Sequence, residues 1–234
     1  MKRSILWAAM MFLAILLLSA AAPCALAQSS TDGNAIINAM AQSVLELKVY
    51  GLDGDVKAEG IGLMVFDNNT LAVPYHLLAG AYKVEAVSQS GEPYHVTKVA
   101  AVDEKRDVAL LKFDSPTDIG PLPLAAAATS GPKLFAGWTG DPDNYYLYMA
   151  GIKSIAEENG VSMIRFSVEE VSEKYIGGML LSFMGNFEVA GMFLDYDSAD
   201  GTHLAVDIAE ITKLHEESQA AEAKPLSEVF TVSP

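Results

Sequence analysis

The chain has 234 residues, and its 30 acidic against 15 basic side chains give a formal net charge of −15 at pH 7. A surface this acidic repels phosphate backbones, which argues against nucleic acid as a partner. One cysteine and four histidines supply few metal ligands, and we expect neither a metal nor another cofactor.

The N-terminus has the pattern of a secretory signal peptide. Two basic residues precede an apolar run over residues 5–18, and a small-x-small sequence ends at Ala27. We therefore predict removal of residues 1–27, export to the periplasm or the exterior, and no stable membrane span in the mature chain. An uncleaved membrane anchor is one alternative, and a lipoprotein signal at Cys24 is another, which the bulky Pro23 disfavours. Because Cys24 leaves with the signal, the mature chain is expected to fold without disulfides.

After a polar lead-in over residues 28–41, the chain consists of short apolar or alternating runs separated by turn signals, a pattern typical of all-β folds. About 200 residues remain after the signal, enough for one domain or a pair of barrels with a substantial core. The strands predicted in the first half cover residues 44–49, 61–66, 70–73, 83–88, 95–103 and 109–113.

A proline-rich stretch over residues 114–132 has no clear period, and we predict that it joins two halves of the fold. The strands predicted in the second half cover residues 133–138, 146–155, 163–167, 179–183, 188–195 and 203–206. Apolar residues then recur at helical spacing over residues 208–214, with Asp207 as the predicted N-cap and Glu210 completing a capping box. The polar residues 217–234 are expected to form a flexible tail.

Three blocks, in chain order, carry a family resemblance. The first, NTLAVPYHLLAGA, contains His76; the second, RDVALLKF, contains Asp107; and the third, EKYIGGMLLSFMGNFEVAGMF, is a glycine turn followed by a hairpin. Together they resemble the trypsin-like serine proteases, specifically the HtrA/DegP-type branch. The resemblance implies an all-β fold over residues 42–216, a trypsin-like double six-stranded β-barrel with a C-terminal helix. It also implies that His76 stands at the catalytic histidine and Asp107 at the aspartate that orients it.

At the nucleophile the chain departs from the family. The family's loop reads Gly-Asn-Ser-Gly-Gly-Pro, and its two adjacent glycines correspond to Gly177 and Gly178. The resemblance then puts Ile176 at the nucleophilic serine, Lys174 at the glycine that shapes the oxyanion hole and Met179 at the proline. A hydrocarbon side chain has no atom that can attack a carbonyl carbon. The resemblance therefore implies a protease fold whose catalysis is lost, a pseudoprotease.

We predict from this a secreted, catalytically inactive protein of trypsin-like protease fold that binds a protein or peptide as a regulatory module. The alternative is an active serine endopeptidase of HtrA type with a non-standard nucleophile, such as Ser172 or Ser182. A third interpretation is a structural domain with no function in the cleft. Under the inactive interpretations, His76 and Asp107 form either a remnant pair or a purely structural one.

Aromatic residues are further candidates, for a recognition surface. The family alignment puts one aromatic segment near the substrate cleft, and its members are Trp138, Tyr145, Tyr146 and Tyr148. Core packing is the other interpretation for some of these rings. The remaining histidines are expected at the surface: His95 and His203 on predicted strands, and His215 on the predicted helix.

Overall fold

The computed structural model describes most of the chain beyond its N-terminus. The described residues are 38, 40–138, 145–169, 171, 173–183, 187–198 and 201–230, with the backbone alone for Trp138, Tyr145 and Tyr146. The predicted signal peptide over residues 1–27 lies outside them and stays a prediction. Within the described ranges, no helix combines the length and the apolarity needed to cross a membrane.

The first half of the chain forms a closed antiparallel barrel. Its strands are β1 (Val44–Tyr50), β2 (Val56–Met64), β3 (Thr70–Pro74), β4 (Lys83–Val87), β5 (Pro93–Asp103) and β6 (Val108–Phe113). Around the barrel the strands follow the order β1-β4-β5-β6-β3-β2, and β2 pairs again with β1. In β1 the side chains of Leu45, Leu47 and Val49 are fully buried, because alternate residues of a strand point to the same face.

The second half forms another closed barrel, in the order β7-β8-β9-β12-β11-β10. Its strands are β7 (Lys133–Trp138), β8 (Tyr145–Glu158), β9 (Val161–Ser167), β10 (Met179–Ser182), β11 (Glu188–Asp197) and β12 (Thr202–Asp207). Asn159 and Gly160 join β8 to β9 with φ of 55° and 84°, the pair of left-handed residues that a tight type I′ hairpin requires. The predicted double six-stranded barrel is confirmed.

One apolar cluster joins the two barrels, and a second one fills the first barrel. Ile61 and Leu63 of β2 lie in the same buried cluster as Phe135, Phe166 and Phe193 of the second barrel. The three phenylalanine rings pack with centroids 5.6 to 5.9 Å apart. The strand β2 therefore lies against the second barrel, and residues at this junction contact both halves.

The predicted connection over residues 114–132 runs between β6 and β7 and is tied to both barrels. The backbone N–H of Leu122 donates to the Met64 carbonyl of the first barrel at 2.9 Å. The N–H of Val189 in the second barrel donates to the Pro123 carbonyl at 2.8 Å. These backbone bonds fix the path of a segment that forms no strand of its own.

A C-terminal helix, α1 (Ile208–Ser218), follows the second barrel as predicted. The Asp207 carboxylate accepts a hydrogen bond from the Ala209 N–H at 3.0 Å, so Asp207 is the N-cap. Glu210 forms different contacts from those of a capping box. Its carboxylate accepts from the Arg106 guanidinium at 3.0 Å and from the Ser162 N–H at 3.2 Å.

Arg106 holds α1 against the turn that leads into β6. Its side chain is only 9% exposed and forms ion pairs with three carboxylates, those of Asp103 at 2.7 Å, Glu217 at 2.9 Å and Glu210 at 3.0 Å. A guanidinium presents several donors in a fixed plane, so one residue can satisfy all three partners. The contact positions the residue that follows Arg106 in the chain, Asp107.

The expectation of a flexible tail from residue 217 is wrong for residues 219–230. A two-residue strand, β13 (Lys224–Pro225), pairs with β5, and a short helix, α2 (Leu226–Val229), follows it. Leu226 and Phe230 are buried in the core of the first barrel. A mostly polar stretch can dock on a barrel in this way, because Leu226 and Phe230 bury their apolar surface and Val229 packs beside them.

The histidines also differ from expectation. His95 is exposed as predicted, but His203 on β12 is only 5% exposed. The half-buried ring of His215 on α1 stacks on Phe66, with centroids 3.8 Å apart and planes 7° from parallel. The prediction for His203 was wrong because β12 is paired on both sides and the His203 ring packs on the buried rings of Phe166 and Phe193.

The docked tail gives a test of the fold. Leu226→Ala should lower the free energy of unfolding by about 2–4 kcal/mol, because it leaves a cavity at a buried leucine. Glu228→Ala on the same short helix is the matched control, and its exposed side chain should change stability by no more than about 0.5 kcal/mol. Urea unfolding of the two variants measures the difference. Equal stabilities would mean that the tail does not dock.

Candidate functional site

His76 and Asp107 meet at the end of the β3–β6 ladder. His76 lies in a 3-10 helix, Tyr75–Leu78, directly after β3, and Asp107 immediately precedes β6. The pairing of Pro74 with Val108 brings the two segments together. The His76 Nδ1 lies 2.6 Å from the Asp107 Oδ2, and the His76 backbone N–H donates to the Oδ1 at 2.8 Å. One carboxylate thus fixes both the ring and the backbone of the histidine.

The Asp107 backbone is strained, and its contacts hold it in place. Its φ is 52°, in the left-handed region that residues with a Cβ seldom adopt. The Asp107 carbonyl accepts the Tyr75 N–H at 3.1 Å, while its carboxylate accepts from His76. Strain of this kind persists where the surroundings over-determine a conformation, as they do at many functional sites.

The hydrogen bond to Asp107 raises the pKa of His76, partial burial opposes that rise, and the Asp107 and Asp195 charges add to it. The pairing therefore contributes stability below the ordinary pKa of 6.5, and the contribution fades as pH rises through the raised pKa. The imidazole is 43% exposed, so solvent screens part of this attraction. With Asp107 ionised, the bonded Nδ1 carries a proton and Nε2 is left to accept one.

The loop before β10 is clamped between the two barrels. A 3-10 turn, Glu173–Tyr175, precedes Ile176, whose carbonyl accepts the Ile61 N–H of β2 at 2.7 Å. The Gly177 N–H donates to the Phe193 carbonyl of β11 at 2.8 Å. Gly177 has a φ of 92°, and a Cβ there would overlap the Ile61 carbonyl oxygen. Only glycine fits at this position.

The side chain of Ile176 is half-buried and packs against the apolar cores of both barrels. Its backbone N–H donates to the Glu173 carbonyl at 3.0 Å, which closes the 3-10 turn. The neighbouring Lys174 is exposed, and its ammonium lies 4.9 Å from the centroid of the Tyr175 ring. The loop therefore presents a hydrocarbon at position 176, and the backbone N–H of the same residue is engaged within the loop's own turn.

The His76 helix and this loop approach the same point on β2. A Cβ built on Gly60 would contact both the Leu77 side chain, next to His76, and the Ile176 carbonyl oxygen. On its outer side the loop borders a cleft of about 600 Å³. The lining residues come from the loop and from β11, and they are Val171, Glu173, Lys174, Ile176, Phe193, Asp195, Tyr196 and Ser198.

No family model matches the chain, whereas several individual proteins do. The zebrafish (Danio rerio) serine protease HTRA1B is 32% identical over 85 residues, which cover 36% of this chain and 18% of that protein. HTRA1A of the same organism is 32% identical over 94 residues, 40% of this chain and 19% of the relative. The chain is a homologue of HtrA serine proteases.

A relative of a different name also matches. The anti-sigma-I factor RsgI9 of Acetivibrio thermocellus is 26% identical over 156 residues, 66% of this chain and 22% of that protein. The chain thus spans about a fifth of the length of these relatives.

Solved structures show the same fold as this HtrA homologue. The active form of the Rv3671c protease from M. tuberculosis superposes with a TM-score of 0.66 at 20% identity, over 80% of this chain and 85% of that one. The serine endoprotease from Yersinia pestis gives 0.64 at 18% identity, over 79% and 65%. At these identities the likeness establishes the trypsin-like fold.

The site residues that were predicted from the sequence of this HtrA homologue form two groups. His76 and Asp107 form one pair, and Lys174, Ile176, Gly177 and Gly178 form one loop that closes on the same part of β2. Among the described residues, no group of three or more His, Cys, Asp or Glu side chains is placed to hold a metal ion.

The aromatic candidates lie elsewhere or outside the described side chains. Tyr148 is exposed on β8 and lines a second cavity of about 540 Å³ with Met149 and Glu169, away from the residues that line the Ile176 cleft. The side chains of Trp138, Tyr145 and Tyr146 are outside the described part of the chain, as is Ser172. A recognition role for these residues stays a prediction.

Asp195 and Tyr196 were missed by the sequence reasoning, although both line the cleft. Asp195 ends the strand predicted over residues 188–195, and the acidic residues that follow it are typical of a solvated hairpin tip. A signal for their place at the cleft was present in the sequence. Both residues follow the third family block within three positions, on the strand that pairs with β10 next to the glycine loop.

The pKa of His76 gives a direct test of this geometry. Asp107→Asn should lower the pKa of His76, because it removes the hydrogen-bonded charge that contributes most to the raised value. Asp195→Asn should lower that pKa by less, and the exposed Asp114→Asn is the distant control. NMR titration of the imidazole proton on Cε1 measures all three. A His76 pKa unchanged in Asp107→Asn would contradict the observed pair.

Proposed function

We propose that this HtrA homologue is a secreted, catalytically inactive protein that binds a protein or peptide in the cleft beside Ile176. The observation that carries the proposal is the isoleucine at position 176, between the 3-10 turn and the two glycines. The family alignment assigns this position to the nucleophilic serine, and acyl transfer needs a hydroxyl or thiol there. An isoleucine supplies neither.

The backbone of the loop supports the same proposal. Hydrolysis of an acyl group needs free N–H donors aimed at the developing oxyanion. The Ile176 N–H donates instead to the Glu173 carbonyl, and the residue assigned to the second donor is Lys174 rather than glycine. A donor engaged within its own turn cannot bind an oxyanion unless the turn rearranges. The proposed loss is therefore double, of nucleophile and of oxyanion hole.

A binding role has support in the cleft and in one strand edge. Beyond Met192, β11 no longer pairs with β10, while residues 195–197 still pair with β12. Those residues lie at the mouth of the cleft, where an extended peptide can add as a further strand and place a side chain in the cavity. His76, held by Asp107 and partly exposed, would offer its Nε2 to such a ligand.

Two further observations support a secreted, regulatory module. Residues 1–27 have the charge, apolar run and small-residue site of a secretory signal. The relative RsgI9 is named an anti-sigma factor, so a segment similar to most of this chain also occurs in a protein whose name describes regulation. The proposal is that this chain likewise binds rather than cleaves.

The second candidate function is an active serine endopeptidase of HtrA type with a non-standard nucleophile. It is favoured by the His76–Asp107 pair, which has the geometry of a general base and its orienting carboxylate. Ser182 on β10 and Ser172 are the hydroxyls near the loop in sequence. The two candidates differ in whether His76 takes part in hydrolysis.

A peptidase assay on casein separates them. Wild type and His76→Ala should both give the background rate, since no attacking group is proposed. Ile176→Ser alone should also stay at background, because the Ile176 N–H and Lys174 still leave the oxyanion without donors. A wild-type rate above that of His76→Ala would favour the enzyme. A full gain of activity in Ile176→Ser would contradict the account of the oxyanion hole.

Binding is tested separately, with peptides selected from a displayed library on the wild-type chain. Ser198→Trp, which fills the cleft mouth, should weaken the selected peptides by about tenfold or more, the loss expected when a well-packed side chain is excluded. Ser154→Trp on the exposed part of β8 is the matched control. Equal binding by the two variants would mean that the cleft is not the binding site.

A further inference from the structure

His203 is a titratable side chain enclosed by aromatic rings behind the cleft. On β12 it pairs with Tyr196 of β11 on one side and with Phe166 of β9 on the other. Its ring lies 5.0 Å from that of Tyr196, 5.2 Å from Phe166 and 5.6 Å from Phe193. With 5% of its surface exposed, the imidazole has almost no contact with solvent.

This environment accommodates the neutral ring better than the charged one. The Nδ1 of this imidazole is buried and has no hydrogen-bond partner among the described residues. A proton added at Nδ1 would be a buried donor without an acceptor, which costs free energy. Burial accordingly lowers the pKa of His203, and the nearby Phe166 backbone offsets only part of the effect.

The charged groups nearby do not compensate. On β11, Tyr196 faces His203, whereas Asp195 and Asp197 alternate to the opposite face. On β9, Arg165 likewise alternates away from Phe166 and pairs with Asp197 at 3.2 Å and with Glu158 at 3.1 Å. No carboxylate of these strands contributes to the lowered pKa of His203. A positive charge on the ring would therefore be buried without a carboxylate partner from these strands.

Two of these three rings form part of the wall of the cleft. Phe193 and Tyr196 both line the cavity beside Ile176. The Phe193 carbonyl accepts the Gly177 N–H, and the Phe193 N–H donates to the Gly178 carbonyl at 2.7 Å. A displacement of β11 at His203 would therefore move the glycine loop. The Phe193 side chain contacts His203, and the Phe193 backbone forms two hydrogen bonds with the loop.

We infer that His203 makes the cleft acid-sensitive: protonation of this buried ring in mildly acidic surroundings loosens β11 at residues 193–197 and opens the cleft wall. Above the ordinary histidine pKa of 6.5 both the closed and the opened wall hold a neutral ring, and pH has no effect. Below it, the opened form takes up a proton that the closed form resists, so acid favours opening. The inference does not depend on whether the chain is a protease.

Hydrogen exchange of the full chain tests it. The probe is the protection of residues 193–197 at about pH 5 relative to about pH 7.5, after correction for the intrinsic exchange rate. In wild type this protection should fall by about threefold or more in acid. His203→Phe keeps an aromatic ring and removes the titrating group, so its protection should not fall. His95→Gln, at an exposed histidine, should behave as wild type does.

Equal protection of wild type at the two pH values would overturn the inference, and so would an equal acid-induced fall in His203→Phe. If that variant does not fold, NMR of the wild-type His203 ring decides. A ring that stays neutral below the ordinary histidine pKa, and then titrates together with the loss of β11 protection, supports the inference. A ring that titrates at the ordinary value with β11 unchanged overturns it.

Discussion

The backbone of residues 176–178 is where the two barrels are joined at the candidate site. The Ile176 carbonyl is bonded to β2 of the first barrel, and Gly177 and Gly178 are bonded to Phe193 of the second. Because a Cβ on Gly177 would overlap the Ile61 carbonyl, the loop can pass this point only as glycine. The clamp fixes the position of side chain 176 in relation to β2, to the cleft and to the segment that carries His76.

With its position fixed, the side chain at position 176 can serve either catalysis or packing. A hydroxyl there would supply chemistry, whereas isoleucine supplies packing against the cores of both barrels. Burial of apolar surface stabilises a fold by roughly 25 cal/mol per Å², and stability gained at a catalytic position commonly costs activity. In the proposed account the chain has exchanged reactivity for a firmer junction. The His76–Asp107 pair is unaffected, because the β3–β6 ladder positions it independently.

Much of the fold could be predicted from the sequence, and the exceptions have physical reasons. Strands such as β3 and β7 are bounded by turn residues and were predicted to within one residue. The docking of Leu226 and Phe230 was missed because Leu226, Val229 and Phe230 have helical spacing over a single turn only, which is too short to establish a period. The burial of His203 was missed because a residue's face depends on its neighbouring strands, which sequence alternation alone does not specify. The prediction of the cleft residues was incomplete for the same reason, since β11 and the loop contribute to the cleft from separate segments.

We propose that this chain has no group that can form a covalent bond with an activated acyl or phosphonyl centre at this site. The most direct measurement is the intact mass of the purified chain after incubation with a fluorophosphonate. The account predicts an unchanged mass, with no difference between wild type and Asp107→Ala, because position 176 is a hydrocarbon. An adduct on wild type that disappears in Asp107→Ala would contradict it and identify a working nucleophile beside His76.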